Sequence, residues 1–181
     1  MKSFFFIVVF FVQFFTSLAQ TNSTLTNTKN TPINYSSIEE LYSNNFICLE
    51  DAERIVGNKC KLIDSTSRNT GGVLRYSFTY IVPFKDSTSK GRLFFSYEQY
   101  KDKSMCQSIF QSLKQENGKS GSINDLIGFG DEAYMIKDSM NFPFVIILKN
   151  NKLFKFKLYY LNSTTPLEEL LKTAKKLVEK Y

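Results

Sequence analysis

The chain has 181 residues, with 23 lysine and arginine residues against 17 aspartate and glutamate residues and a formal net charge of +6. It has no histidine and only three cysteines, which excludes Ser-His-Asp and Cys-His catalysis, histidine metal sites and a four-cysteine zinc site. Its length suits one ordinary domain, of a size that folds without a metal or a disulfide.

The N-terminus has the three-part layout of a secretory signal. Lys2 supplies a positive charge, residues 4–15 are almost wholly apolar, and the small residues Ser17 and Ala19 follow. This layout predicts a signal peptide over residues 1–19, cleaved near Ala19, and a secreted or periplasmic protein. The apolar stretch is shorter than the roughly 20 residues of a membrane-spanning helix. A membrane contact is therefore expected only through an uncleaved signal.

The next segment, residues 20–37, is rich in threonine, asparagine and serine. It has little to bury, which is typical of a flexible leader. The single folded domain is then expected to cover residues 38–181. Overlapping capping boxes that begin at Ser36 predict a short helix at its start. A second short helix is predicted over residues 49–56, with Gly57 at its C-terminal end.

Five segments of the domain have the composition of β-strands: residues 74–82, 93–97, 133–136, 144–148 and 153–161. In the first two and the last, apolar or aromatic residues alternate with polar ones, which is the period of a strand with one buried face. The fourth is wholly apolar and suits a strand covered on both faces. Asn150 and Asn151 stand between the last two strands. Because asparagine tolerates positive φ, they predict a tight hairpin.

Two longer helices are predicted from apolar residues that recur three and four positions apart. One covers residues 101–116. The other begins with a capping box at Thr165, has Pro166 at its first helical position and continues to the C-terminus. The predicted fold class is α+β: a mostly antiparallel sheet of five to seven strands, packed by these two helices.

The most distinctive segment is Gly-Phe-Gly-Asp-Glu-Ala-Tyr, residues 128–134. As a ligand loop it would bind a cation or a donor-rich ligand, and its candidate ligand-binding residues are Gly128, Gly130, Asp131, Glu132 and Tyr134. The structural alternative is a sharp turn before a strand. Adjacent carboxylates in a strand point to opposite faces and make a poor acid/base pair. No catalytic residue, metal site or cofactor is predicted.

This segment also carries a resemblance to known proteins. Gly-x-Gly-Asp-Glu-Ala-Tyr, preceded by an amphipathic helix and followed by two strands and a C-terminal helix, resembles a family of small secreted bacterial domains of uncharacterised function. Their layout is similar to the PsbP-like α/β fold. The helix Leu49–Gly57 also matches the opening pattern of those domains, and the resemblance covers residues 46–181. It implies a secreted α/β module and supplies no catalytic residues.

The three cysteines are Cys48, Cys60 and Cys106. Export permits disulfides, and the odd number leaves at least one thiol unpaired in a monomer. A Cys60–Cys106 bridge is the leading pairing, because Cys106 lies on the apolar stripe of its helix and would meet Cys60 across the core. In the alternative, both are small buried hydrophobic residues.

Lysines cluster around the predicted hairpin. The candidate basic surface consists of Lys149, Lys152, Lys155 and Lys157. Such a surface would adhere to anionic lipid or polysaccharide, and the alternative is ordinary solvation. Export makes nucleic acid an unsuitable partner, and none is predicted.

These patterns favour an exported, non-enzymatic module that binds a protein partner or a small ligand. One alternative is a carboxylate-dependent hydrolase that uses Asp131 or Glu132. The other is a basic surface-adhering protein. Phe94, Tyr100 and Tyr159 lie off the main apolar stripes and are candidates to line a pocket or an interface.

Overall fold

The computed structural model describes residues 46–82, 91–138, 140–159 and 167–181. The predicted signal peptide, leader and first capping-box helix lie outside the described residues, as does the predicted start of the last helix. The described ranges all belong to a unit that spans residues 36–181.

Within these ranges the chain forms three helices and seven strands. In chain order they are α1 Leu49–Val56, β1 Lys61–Thr70, β2 Val73–Val82, β3 Gly91–Gln99, α2 Lys103–Gly118, β4 Ile123–Asp125, β5 Glu132–Lys137, β6 Pro143–Lys149, β7 Lys152–Tyr159 and α3 Leu167–Val178. The strands form one sheet in the order β1-β2-β3-β7-β6-β5-β4, and every neighbouring pair is antiparallel. The α+β fold class is confirmed, with the sheet at the upper limit of the predicted size.

Two strands were not predicted, and they are the two edges of the sheet. In β1 only Leu62 and Thr66 are half-buried and the other residues are exposed. An exposed edge does not need apolar alternation, so the sequence carries no strand period there. At the other edge, β4 has only three residues, which are too few to show a strand period.

The sheet is covered on both faces. Because side chains alternate along each strand, Phe95 and Phe156 point to the first face, where they pack with residues of α1 and α3. Tyr134 and Ile146 point to the second face, where they pack with Phe110 of α2. On this second face α2 lies against β4 to β7. The two long helices therefore lie on opposite faces of the sheet.

Two turn predictions are confirmed. Helix α1 ends at Gly57, whose φ is 68°, a left-handed conformation that glycine adopts without strain. Strands β6 and β7 form the predicted hairpin, and Asn150 at its turn has a φ of 55°.

Candidate functional site

The loop between β4 and β5, residues 126–131, is held at both ends by backbone hydrogen bonds. The N–H of Leu126 donates to the carbonyl of Ala133 at 2.9 Å, and the N–H of Asp131 donates to the carbonyl of Leu148 at 2.8 Å. We call this segment the Ile127 loop. Its anchoring to β5 and β6 gives it a defined position beside the sheet.

The two glycines of this loop differ in their surroundings. Both have positive φ, 81° at Gly128 and 58° at Gly130. A Cβ atom at Gly130 would collide with the carbonyl oxygen of Leu148 and the Cγ2 atom of Ile147. Among the described residues, a Cβ at Gly128 would have only the ammonium of Lys175 nearby, at 4.0 Å. Gly130 is therefore required for close packing of the loop on β6.

Asp131 ties the loop to the β6–β7 turn. Its carboxylate accepts a hydrogen bond from the N–H of Asn150 at 2.9 Å and lies 3.5 Å from Lys103 Nζ and 3.6 Å from Lys149 Nζ. Burial raises the pKa of Asp131, but the Asn150 N–H and the Lys103 ammonium outweigh burial and lower the pKa overall. The carboxylate is thus ionised, with its partners supplied by the protein.

Glu132 and Tyr134 contact helix α2. Glu132 accepts hydrogen bonds from Gln111 Nε2 at 2.9 Å and from Gln107 Nε2 at 3.4 Å. Tyr134 is fully buried, its hydroxyl oxygen accepts from Asn117 Nδ2 at 2.9 Å, and burial raises its pKa to about 12. These contacts support the structural alternative for both residues.

The two carboxylates have separate partners, and each set of partners includes a residue of α2. Asp131 precedes β5, so the alternation of side chains along that strand does not fix its direction. Its carboxylate reaches Lys103 at the start of α2. Glu132 reaches Gln107 and Gln111 on the same helix.

The most exposed apolar side chain of the loop is Ile127, which is 96% exposed. Its neighbours Leu126 and Phe129 pack against the core of the first face. The loop therefore partly buries two of its apolar residues and presents the third to solvent. The sequence marks residues 126–127 as apolar, but only the packing shows which of them is left outside.

Two of the four clustered lysines lie on the second face, where Lys157 is buried and Lys155 is half-buried. Lys155 forms an ion pair with Glu98 at 2.9 Å. Lys157 donates to Asp138 Oδ2 at 2.7 Å, and its ammonium lies 5.5 Å from the ring centroid of Phe144. Both cations therefore have partners within the fold.

The other two lysines lie on the first face, by the alternation of their strands. Lys149 is 3.6 Å from Asp131, and the ammonium of Lys152 lies 5.9 Å from the ring centroid of Tyr181. The predicted common basic surface is wrong, because strand alternation separates its lysines onto two faces and each already interacts with another residue.

A polar network occupies the second face near the end of β3. The side chain of Glu98 is 6% exposed and pairs with Arg75 Nε at 2.7 Å and Lys155 Nζ at 2.9 Å. The hydroxyl of Tyr100 donates to the other carboxylate oxygen at 2.6 Å. Burial raises the pKa of Glu98, but Lys155 and Tyr100 outweigh it, and the pKa is lowered overall. Tyr100, predicted to line a pocket or an interface, is thus a buried partner of an ionised carboxylate.

The predicted Cys60–Cys106 disulfide is not formed, and all three cysteines are free thiols. Cys60 belongs to the core of the first face and Cys106 to that of the second, so the sheet separates them. The sulfur of Cys48 accepts a hydrogen bond from the N–H of Asp51 at 3.4 Å and caps α1.

Thiol labelling tests this arrangement. Burial raises the pKa of Cys60 to about 11 and that of Cys106 to about 12, and the thiolate is the reactive form. At pH 8, iodoacetamide is therefore expected to modify the half-buried Cys48 first and to leave Cys60 and Cys106 unmodified in the folded protein. Intact-mass spectrometry reports the adducts. Fewer than three adducts after denaturation without a reductant would reveal a disulfide and contradict the free thiols.

No protein-family model, curated protein or solved structure matches this chain. The resemblance to secreted domains with a PsbP-like layout therefore stays a prediction. Among the residues that the structure describes, cysteine, aspartate and glutamate side chains form no group of three or more that would hold a metal ion. Of the three described helices, none has the length and apolar composition needed to cross a membrane.

Proposed function

We propose that the protein is an exported, non-enzymatic module that binds a partner protein through the Ile127 loop. The observation that carries this proposal is the 96% exposure of Ile127 on a loop anchored by hydrogen bonds to β5 and β6. Burying an isoleucine side chain stabilises a complex by about 1.5–3 kcal/mol. A loop that is already ordered loses little conformational entropy on binding.

A positive charge beside the loop indicates which groups a complementary partner surface would carry. The ammonium of Lys175 lies 4.0 Å from the position of a Cβ at Gly128, so a cation stands beside the exposed isoleucine. Lys175 is itself exposed and in the last turn of α3. A partner surface with an apolar pocket and a carboxylate at its rim would complement both groups.

The contacts of the two loop carboxylates favour binding over hydrolysis. A general acid needs a raised pKa to hold its proton near neutral pH, whereas the pKa of Asp131 is lowered. The partners of Glu132 are two glutamine amides. The proposal of export rests on the layout of residues 1–19.

The substitution Ile127→Ser tests the proposed site. A benzophenone amino acid is placed at position 172, an exposed position one turn of α3 before Lys175, so that the Lys175 cation is kept. The probe would be activated in the exported fraction of the host, and the adducts would be identified by mass spectrometry. Since the isoleucine contributes at least about 1.4 kcal/mol to such a contact, Ile127→Ser is expected to reduce the main adduct about tenfold. The free energy of unfolding is expected to change by less than about 0.5 kcal/mol, because the side chain is exposed.

Met140→Ser is the matched control, since Met140 is 58% exposed and lies between β5 and β6, outside the loop. This variant is expected to keep the full adduct yield. Equal yields from the Ile127→Ser chain and the unchanged chain would show that the loop is not the binding site.

A further inference from the structure

Strand β1 is a long and exposed sheet edge. It runs from Lys61 to Thr70 and stands at one end of the strand order. Among the described residues, β2 is its only strand partner. An edge strand presents a row of backbone N–H and C=O groups that can pair with a further strand. The question is therefore which strand pairs with this edge.

The regular part of the edge begins at Asp64. The pairing with β2 shifts between Leu62 and Asp64, which leaves Ile63 as the extra residue of a bulge. A bulge interrupts a ladder locally. From Asp64 to Thr70 the register with β2 is continuous, so this stretch is the part that a new strand would follow.

Pairing of this edge with its own copy is restricted in register. Only every second residue of an edge strand directs its N–H and C=O groups away from the neighbouring strand. In an antiparallel pair of identical strands, two facing residues must either both direct these groups toward the new partner strand or both direct them away from it. They are therefore an even number of positions apart, and the ladder is centred on a residue.

One such centre matches the charges of β1. Centring the ladder on Thr66 places Asp64 opposite Arg68 of the second copy, and Arg68 opposite Asp64 of the second copy. Centring it on Ser65 or Ser67 places both charges opposite uncharged residues. Opposite charges in facing positions stabilise a strand pair. The sequence of β1 is thus complementary to itself about Thr66.

Neither charge is compensated within the described residues. Asp64 and Arg68 take part in none of the ion pairs there. They are four positions apart in an extended strand, about 13 Å, which is too far for a direct pair. Across β1–β2, Arg68 faces Arg75, and facing like charges are unfavourable. A carboxylate from a second copy beside Arg68 would offset this repulsion.

We infer that two copies of the chain pair through β1, antiparallel about Thr66, and so join their sheets into one. This register places a two-fold axis at Thr66, and an isologous interface has such an axis. Strand addition makes a small interface, so the dimer is expected to be reversible, with a dissociation constant of about 10–100 µM. This inference is independent of the Ile127 loop, which borders β4 at the other end of the strand order.

Charge reversal on the protein purified from its host tests the register by sedimentation equilibrium. Asp64→Arg or Arg68→Asp alone puts like charges opposite each other and is expected to weaken dimerisation at least tenfold. The double reversal restores opposite charges in facing positions. Its dissociation constant is expected to lie within about threefold of that of the unchanged protein. Lys180→Asp, a reversal at an exposed residue beyond α3, is the control and should leave dimerisation unchanged.

Of the two single reversals, Arg68→Asp is not expected to weaken the fold of the monomer. Within one chain, Arg68→Asp replaces a facing pair of arginines by an aspartate opposite Arg75, which favours the monomer fold. A monomeric unchanged protein at about 500 µM would overturn the inference, and so would a double reversal as weak as the single ones. If this edge instead pairs with a strand of another protein, the purified chain is expected to be monomeric at that concentration, which is the first of these outcomes.

A cysteine on the axis gives a second test. Facing residues of an antiparallel pair have Cα atoms about 4.5–5.5 Å apart, within disulfide reach. Thr66→Cys is expected to form an interchain disulfide on mild oxidation. In the same register Ser65 faces Ser67 of the second copy, so Ser65→Cys places its two sulfurs too far apart and should not cross-link. Equal cross-linking of the two variants, or none, would contradict the register.

Discussion

Gly130→Ala is expected to lower the free energy of unfolding by about 3 kcal/mol or more. A residue other than glycine at the φ of 58° found there costs about 1–2 kcal/mol. The added Cβ also meets the carbonyl oxygen of Leu148. That carbonyl cannot withdraw without weakening its hydrogen bond from the N–H of Asp131, which is 2.8 Å long. Urea unfolding at neutral pH measures the loss.

Gly57→Ala is the control for backbone conformation. Its φ is 68°, and no atom of the described residues lies within 4 Å of the position of a Cβ. It carries the conformational cost without the collision, so a loss of about 1–2 kcal/mol is expected. Losses of equal size at the two glycines would mean that the approach of the loop to β6 is not what requires Gly130.

Glu98→Gln is expected to lower the free energy of unfolding by about 3–5 kcal/mol. The substitution keeps the size of the side chain and removes its charge, which leaves the ammonium of Lys155, with its side chain 14% exposed, without a counterion. Removing one partner of a buried ion pair strands the other charge. Denaturant unfolding of the two proteins measures the difference.

Glu132→Gln is the matched control. Glu132 is bonded to two neutral amides, those of Gln107 and Gln111, so its loss strands no charge. A change within about 0.5 kcal/mol is expected. If both substitutions cost the same, the ion pair with Lys155 is not the source of the effect.

The dependence on pH gives Glu98 a second signature. The pKa of Glu98 in the folded protein is lowered from its ordinary value of 4.5, so the ionised form is stabilised by folding. This contribution is fully present above about pH 4.5 and is lost as the pH falls through the lower pKa of the folded state. The gap in unfolding free energy between the unchanged protein and Glu98→Gln should therefore narrow below about pH 4.5. A gap that is constant from neutral to acidic pH would contradict the lowered pKa.

Most of the fold could be predicted from the sequence, and the two missed strands show why the rest could not. Strands β2 and β7 have a buried face, which imposes a period of two on their side chains, and β6 is buried on both faces. Strand β1 has mostly exposed side chains. Its conformation is set by hydrogen bonds to β2, and these leave no mark on composition.

The candidate loop was found by its sequence, but its role was not. The residues that decide it are distant in the chain: Leu148 lies against Gly130, Asn150 donates to Asp131, and Asn117 donates to Tyr134. Glycine and carboxylate spacing indicates a turn with ionisable groups. The spacing does not show whether distant residues of the same chain supply hydrogen-bond and ion-pair partners to those groups.

The cysteines show the same limit. The helical stripe of α2 shows that Cys106 is turned inward, and it is buried. The stripe does not show which face of the sheet α2 covers, and that face is opposite to the core that contains Cys60.

By itself, the sequence determined the class of fold, the positions of the helices and interior strands, and the apolar side that these elements turn to the core. These follow from local periodicity, because an element must turn its apolar side to the core. Only the tertiary structure decided the strand order, the face that each helix covers, the partners of Glu98 and the exposure of Ile127. These depend on register between segments far apart in the chain, and such contacts impose no local pattern on the residues that make them.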